Sequence, residues 1–441
     1  MAMFIALIII EFIILGLNLR VLRNDLLSPA TISSLGFIAA TIFAFFCIDI
    51  WSLQLSWQTF IVIVSGLLMM TIGELAGVKI RIGKKQSIIG EKQSRYIYIS
   101  SLTQVIFTVS IMIATLLYVY DAIRVGTRLG GSGFQAVAYM KEAYTDGGSQ
   151  RMNVIIRQLF KVVVGSAYIS CYLLANNCFI FKEKLTKNIG HLMVILCGIF
   201  ITIASGSRTD VLRIFSAFIF DYSVLTRLNG SRSRRENKLA NKKIIKRVIP
   251  LAFIVAIIVF ASRTIVKTSD VLTSGITSGI YYIAYYIGSP IAVLNIKIQL
   301  VFSNGGFLLG SNVEVPEFVY LGRLNYGGNV GTFFMTSLLS HGWFYMLLHT
   351  FAVYFVESFL YKKIFKGKLS KINHCYYIVI CSSWYYACTM SYYGDVTGVF
   401  SRIVTNLLTN FVMIVLMIVM TKNKKVADNS FYQKLPRSSR A

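Results

Sequence analysis

The sequence predicts an all-α integral membrane protein of about eleven transmembrane helices, with a large extracytoplasmic loop containing interfacial or re-entrant helices. Three observations lead there. Of the 441 residues, 56% are hydrophobic and only 14% are charged, yet the formal net charge is +26; in a soluble protein that excess would suggest nucleic acid, but here it labels membrane topology. Eleven apolar stretches are long enough to cross a hydrocarbon core about 30 Å thick, which takes roughly 20 helical residues. Basic residues fall in blocks after every second stretch, the pattern of connections retained in the cytoplasm.

The first stretch, 2 to 19, has no basic residue before it and Arg20 and Arg23 after it, so it reads as a retained helix and not as a cleavable signal. Stretches 29 to 48 and 58 to 78 follow, then a block from Lys79 to Arg95. After 97 to 119 comes a long connection of about 120 to 153, then 154 to 179 and a short block from Lys182 to Lys187. Stretches 189 to 205 and 210 to 226 are joined by a short turn, and the largest block, Arg227 to Arg247, precedes 248 to 264. A second long connection, 265 to 340, leads to 341 to 361, the block Lys362 to Lys371, then 374 to 393 and 401 to 421. Residues 1–421 thus form one polytopic domain and 422–441 a basic tail. These blocks hold 31 of the 44 Lys and Arg. All fall on one side under alternate crossing, which sets the N-terminus outside and the C-terminus in the cytoplasm. The seven cysteines lie in or beside apolar stretches and read as small core residues, with neither a disulfide framework nor a metal site.

Function is expected on the outer face, where the two connections are too long to be simple turns. The inner loops are short, with no phosphate-cradling glycine loop before a helix and no cluster of carboxylates. Ile276 to Leu300 is nearly apolar, yet a single crossing there would invert every later loop. Gly288, Ser289 and Pro290 are read as interrupting it, and Tyr281, Tyr282, Tyr285 and Tyr286 suit a boundary between lipid and water. It is expected to be a lid on the outer leaflet, the alternative being a twelfth crossing paired with another within 318 to 340.

The 13 remaining cations comprise nine arginines and four lysines. A guanidinium binds phosphate oxygens through two parallel bonds, which an ammonium cannot. Arg124, Arg128, Arg157, Arg208 and Arg263 are therefore candidate binding residues for an anionic substrate, with Tyr285, Tyr286 and Ser289 of the lid. Arg213 belongs to the same group of helix-end arginines; snorkelling, or pairing with Asp210, Asp270 or Glu142, is the alternative for each. Ser205-Gly206-Ser207-Arg208-Thr209-Asp210 is a polar turn whose backbone amides, hydroxyls and guanidinium can meet a ligand, or a plain helix hairpin capped by Asp210. Of the four histidines, only His341 sits at the outer mouth of a stretch, whereas His349 falls within one. His341 is the candidate base for a sugar hydroxyl, with Asp395 as its rival. Glu11, Glu74 and Glu357 within stretches are helix-packing or relay groups.

The layout, with Ser205-Gly206-Ser207-Arg208-Thr209, Tyr285-Tyr286-Ile287-Gly288-Ser289-Pro290 and the stretch from Asn329-Val330-Gly331-Thr332 to His341-Gly342, resembles the oligosaccharide repeat-unit polymerases of bacterial surface polysaccharides, the Wzy-type O-antigen and capsule polymerases. The resemblance implies a metal-independent glycosyltransferase without cofactors. It would act on undecaprenyl-pyrophosphate-linked glycans at the outer face of the cytoplasmic membrane, among membrane lipids, with a flippase and a chain-length regulator as protein partners. It also implies a ligand-binding role for Arg208. A lipid-linked glycan flippase or transporter, which would bind through the same arginines, and a polysaccharide ligase are the alternatives.

Overall fold

A computed structural model describes residues 1–80, 97, 99–133, 136–137, 139–140, 152–206, 208–228, 242, 246, 276–303, 315–322, 327–366, 371–395, 397 and 400–422. The expected stretch 248 to 264, Arg263 and most of the basic tail lie outside the described residues. The chain is helical in α1 (Ala2–Val21), α2 (Pro29–Phe46), α3 (Ile48–Trp51), α4 (Trp57–Lys79), α5 (Ser101–Arg128), α6 (Val154–Leu174), α7 (Ile189–Ala204), α8 (Arg208–Leu228), α9 (Ile276–Ser303), α10 (Phe333–Lys366), α11 (Lys371–Trp384), α12 (Tyr386–Thr389) and α13 (Phe400–Lys422). A π-helical turn, Ala175–Ile180, extends α6, and β1 (Val319–Tyr320) pairs antiparallel with β2 (Gly327–Gly328).

Among the described residues, nine helices are long and apolar enough to cross a membrane. Every expected stretch but 248 to 264 overlaps a described helix, although 374 to 393, expected as one stretch, is helical only to Trp384 and again in α12. Two of them, α8 and α11, are outside the nine: α8 carries Asp210, Arg213, Asp221 and Arg227, and α11 stops after 14 residues. Helix starts follow local chemistry. The Ser56 hydroxyl accepts from Thr59 N at 3.2 Å, that of Ser100 from Thr103 N at 3.2 Å, and the Asn153 carbonyl from Ile155 N at 2.9 Å, each satisfying an orphan amide. Pro29 occupies the first position of α2, where its missing N–H costs nothing. The next amide, Ala30 N, donates to the Glu74 carboxyl of α4 at 2.6 Å, so this intramembrane acid packs one helix onto another. Glu11 does the same through Thr41 at 2.8 Å.

Helix α4 packs closely on α10. A Cβ on Gly73 or Gly77 would stand 2.6 Å from the carbonyl oxygens of Phe351 and Phe355, so the Gly-x-x-x-Gly spacing brings the two backbones together. Ser358 donates to Glu74 O across the same seam at 2.9 Å.

The basic ends of the helices share one face. Arg227 of α8 binds Asp25 in the α1–α2 turn, and both bond to the Tyr361 hydroxyl of α10, at 2.9 Å from Arg227 and 3.0 Å from Asp25. Lys362 donates to Val78 O and Ile80 O at the end of α4.

At the opposite face lies α9. Tyr281 accepts from Trp51 Nε1 at 3.0 Å, Gly288 abuts the backbone of Phe43 and Ala44, Asn295 bonds to Gln54, Ser56 and Thr59, and Phe302 meets the Trp57 ring at 5.6 Å. Residues 281 to 302 extend about 31 Å along a helix, yet all these partners sit within residues 43 to 59, at one end of the α2–α4 pair. Helix α9 thus meets that end of the pair, and its segment Ile283–Ser303 is one of the nine long and apolar enough to cross a membrane. It also continues through Pro290, correcting the expected interruption. A proline inside a helix removes one backbone bond, and 28 residues packed on α2 and α4 carry the helix past that loss.

Candidate functional site

Gly342 has φ 85° and ψ 179° inside α10, a backbone that breaks the helix. The ring of Phe333 lies 5.3 Å from His349 and 6.0 Å from Tyr354. A straight helix would hold residues 333 and 354 about 31 Å apart. Residues 333–341 and 343–366 are therefore two antiparallel arms folded back at Gly342, the first a short helix. Its free N-terminus meets a second interruption: after α11 the chain passes through Tyr385, α12 and a run of turns, and Phe333 N donates to Ser391 O at 2.7 Å. Irregular backbone at membrane depth is tolerated where protein covers it, and Thr332, Phe333 and Ser391 are buried.

Asp395 stands at the end of this run, 4% exposed. Its Oδ1 accepts from both the amide and the hydroxyl of Thr397 at 2.8 Å, and its carbonyl accepts from Arg402 Nη1 of α13 at 3.1 Å. Its Oδ2 lies 4.0 Å from His349 Nδ1. That same nitrogen is 2.9 Å from Ser337 Oγ on the first arm, while Nε2 is 3.4 Å from Thr397 Oγ1. The imidazole is stacked between Phe333 and Tyr345, at interplanar angles of 13° and 4°. Tyr345 in turn lies against the His341 ring at 4.3 Å, tilted by 31°. Tyr345 and His349, four residues apart, share one face of the second arm, and His341, the last residue of the first arm, meets them through Tyr345, so the series runs from exposed His341 to half-buried His349 and the buried carboxylate.

Helix α9 joins this cluster through Tyr286, whose ring stacks on Tyr393 at 6.4 Å and 29°, two residues before Asp395. Tyr285 and Ser289, also expected to bind substrate, are buried; Tyr285 contacts Trp51 and Tyr286 edge-on. On the far side α8 buttresses the interrupted run. Arg213 lies over the Tyr386 ring at 4.5 Å and pairs with Asp210 at 3.0 Å, and Ser216 bonds to Thr389 at 2.8 Å. Pairing with Asp210 is the alternative weighed for Arg213. The polar turn at Gly206, φ 71°, closes the α7–α8 hairpin with a left-handed glycine, and Arg208 opens α8 five residues before Arg213.

The structure does not bring Arg124, Arg128 or Arg157 into this cluster through any described contact. Arg124 and Arg128 line a shallow groove of about 390 Å³ with Tyr120, Ile123 and Thr127 at the end of α5. Arg124 pairs with buried Asp121 at 2.5 Å, whose other oxygen accepts from Asn153 N at 2.9 Å. Arg157 is exposed one turn into α6.

His349, Arg402, Ser337 and Thr397 were not singled out from the sequence. His349 sits within an apolar stretch and carries no local motif. The chain matches no family model, no curated protein and no solved structure.

Proposed function

We propose that the chain is a membrane glycosyltransferase that polymerises undecaprenyl-pyrophosphate-linked oligosaccharide repeat units at the outer face of the bacterial cytoplasmic membrane. The observation that carries this reading is an imidazole and a buried carboxylate, His349 and Asp395, held between two interrupted helices beside the Tyr286–Tyr393 stack. An acid/base pair suits removal of a proton from an acceptor hydroxyl, and aromatic rings suit sugar faces. In the reaction, the acceptor oxygen bonds to the anomeric carbon of the donor, the bond from that carbon to the diphosphate breaks, and the lipid diphosphate leaves with the electron pair. Arg402, which donates to the Asp395 carbonyl at 3.1 Å, and Arg208, the ligand-binding arginine that the resemblance implies, would receive that developing charge.

A second reading, a flippase for the same lipid-linked glycan, draws support from the two interruptions themselves, because transporters bind cargo where discontinuous helices meet. One experiment separates the two. Purified protein in lipid nanodiscs or vesicles receives undecaprenyl-diphosphate-linked repeat units; longer glycans on the lipid support the polymerase, and movement across the bilayer without new glycosidic bonds supports the flippase. Transfer only to an acceptor that is not lipid-linked identifies a ligase.

A further inference from the structure

The geometry points to His349 Nε2 as the atom that takes the acceptor hydroxyl's proton, with Asp395 as its positioning residue, an assignment that rests on the polymerase reading. The two edges of the ring are held unequally. On the Nδ1 edge, Ser337 Oγ is at 2.9 Å and the Asp395 carboxyl at 4.0 Å. A carboxylate on that side favours the tautomer with its proton on Nδ1, leaving the lone pair on Nε2. On the Nε2 edge the neighbour is Thr397 Oγ1 at 3.4 Å, beyond ordinary hydrogen-bond length. The Thr397 hydroxyl already donates to Asp395 Oδ1 at 2.8 Å, so it has no proton left for Nε2. The lone pair thus faces an oxygen that cannot donate to it, and a substrate hydroxyl supplies the missing proton.

Stacking between Phe333 and Tyr345 fixes the ring plane, and Arg402 anchors the Asp395 backbone. His341 lacks this support; it is exposed and touches the pair only through Tyr345. When the hydroxyl proton moves to Nε2, the acceptor oxygen forms the new glycosidic bond, and the imidazolium is balanced by Asp395 until the proton returns to water.

The test uses the full chain in nanodiscs with lipid-linked repeat units and ¹⁵N-labelled histidine. His349→Gln is expected to slow chain lengthening by about 10²–10⁴-fold with donor binding retained. Thr397→Val, which leaves the ring in place, provides a milder variant should His349→Gln fail to fold, and it is expected to keep the tautomer. The histidine spectrum is expected to show His349 protonated on Nδ1, and Asp395→Asn is expected to disturb that state, which a purely structural role for Asp395 would not do. An Nε2-protonated His349, or full turnover in folded His349→Gln, overturns this assignment alone. A wild-type chain that lengthens nothing overturns the polymerase reading and this assignment with it.

Discussion

Replacing Gly342 by alanine tests the hairpin on which the site is built. Its φ of 85° with ψ of 179° lies in a region essentially reserved for glycine, where a side chain costs about 1–3 kcal/mol. A cost of 1–2 kcal/mol already changes the folded-to-unfolded ratio roughly 5- to 30-fold. Gly16 supplies a contrast of opposite sign: it lies inside α1, and nothing stands within 4 Å of where a Cβ would be added. Gly16→Ala is therefore expected to stabilise by about 0.5–1 kcal/mol. Equilibrium unfolding of each purified variant in mixed micelles gives the energies, and spin labels at Thr336 and Ala352 give the geometry. A straight helix separates those two positions by about 24 Å, whereas folded-back arms hold them much closer. Gly342→Ala as stable as the wild type, or a wild-type label distance near the straight-helix value, would refute the reasoning.

The latch on the basic face yields a further expectation. Arg227→Met leaves half-buried Asp25 without its cation and should cost at most about 3–5 kcal/mol, most of it recovered by adding Asp25→Asn; equal losses in the single and double variants would deny the coupling. Arg208→Lys keeps the charge but loses the planar fork, so chain lengthening should fall; undiminished activity would remove the bidentate argument. His341→Ala should lower turnover more than donor binding, yet by less than His349→Gln, because the exposed ring meets the buried pair only through Tyr345; the reverse order measured in the lengthening assay would return the base role to His341.

Much of the helical framework was legible because hydropathy and charge act locally. The starts of α2 and α4 follow from Pro29 and Ser56, and the basic blocks Arg227 and Lys362 do meet on one face. The site was legible only in part. Asp395 and His341 stood out as polar groups at stretch ends, but His349 and Asp395 are 46 residues apart, and the arm whose Ser337 meets His349 and whose Phe333 meets Ser391 is brought there by the fold-back at Gly342. That fold-back is hidden within an apolar run from Phe333 to Leu348, where a glycine after His341 reads equally as a helical residue. Pro290 misled in the other direction: it suggested a break in α9 where tertiary packing holds a continuous helix. The docking of α9 on the α2–α4 end depends on Trp51, Asn295 and Phe302, contacts that no periodicity encodes.

The central claim is that the His349–Asp395 end of the bundle opens outside the cell and the Arg227–Lys362 end inside. Single cysteines placed at Asn329 and at Lys184 in a chain otherwise free of cysteine, treated in intact cells with a membrane-impermeant maleimide, test it directly. The account predicts that Asn329→Cys is labelled at once and Lys184→Cys only after permeabilisation; labelling of Lys184→Cys in intact cells with Asn329→Cys protected would contradict it.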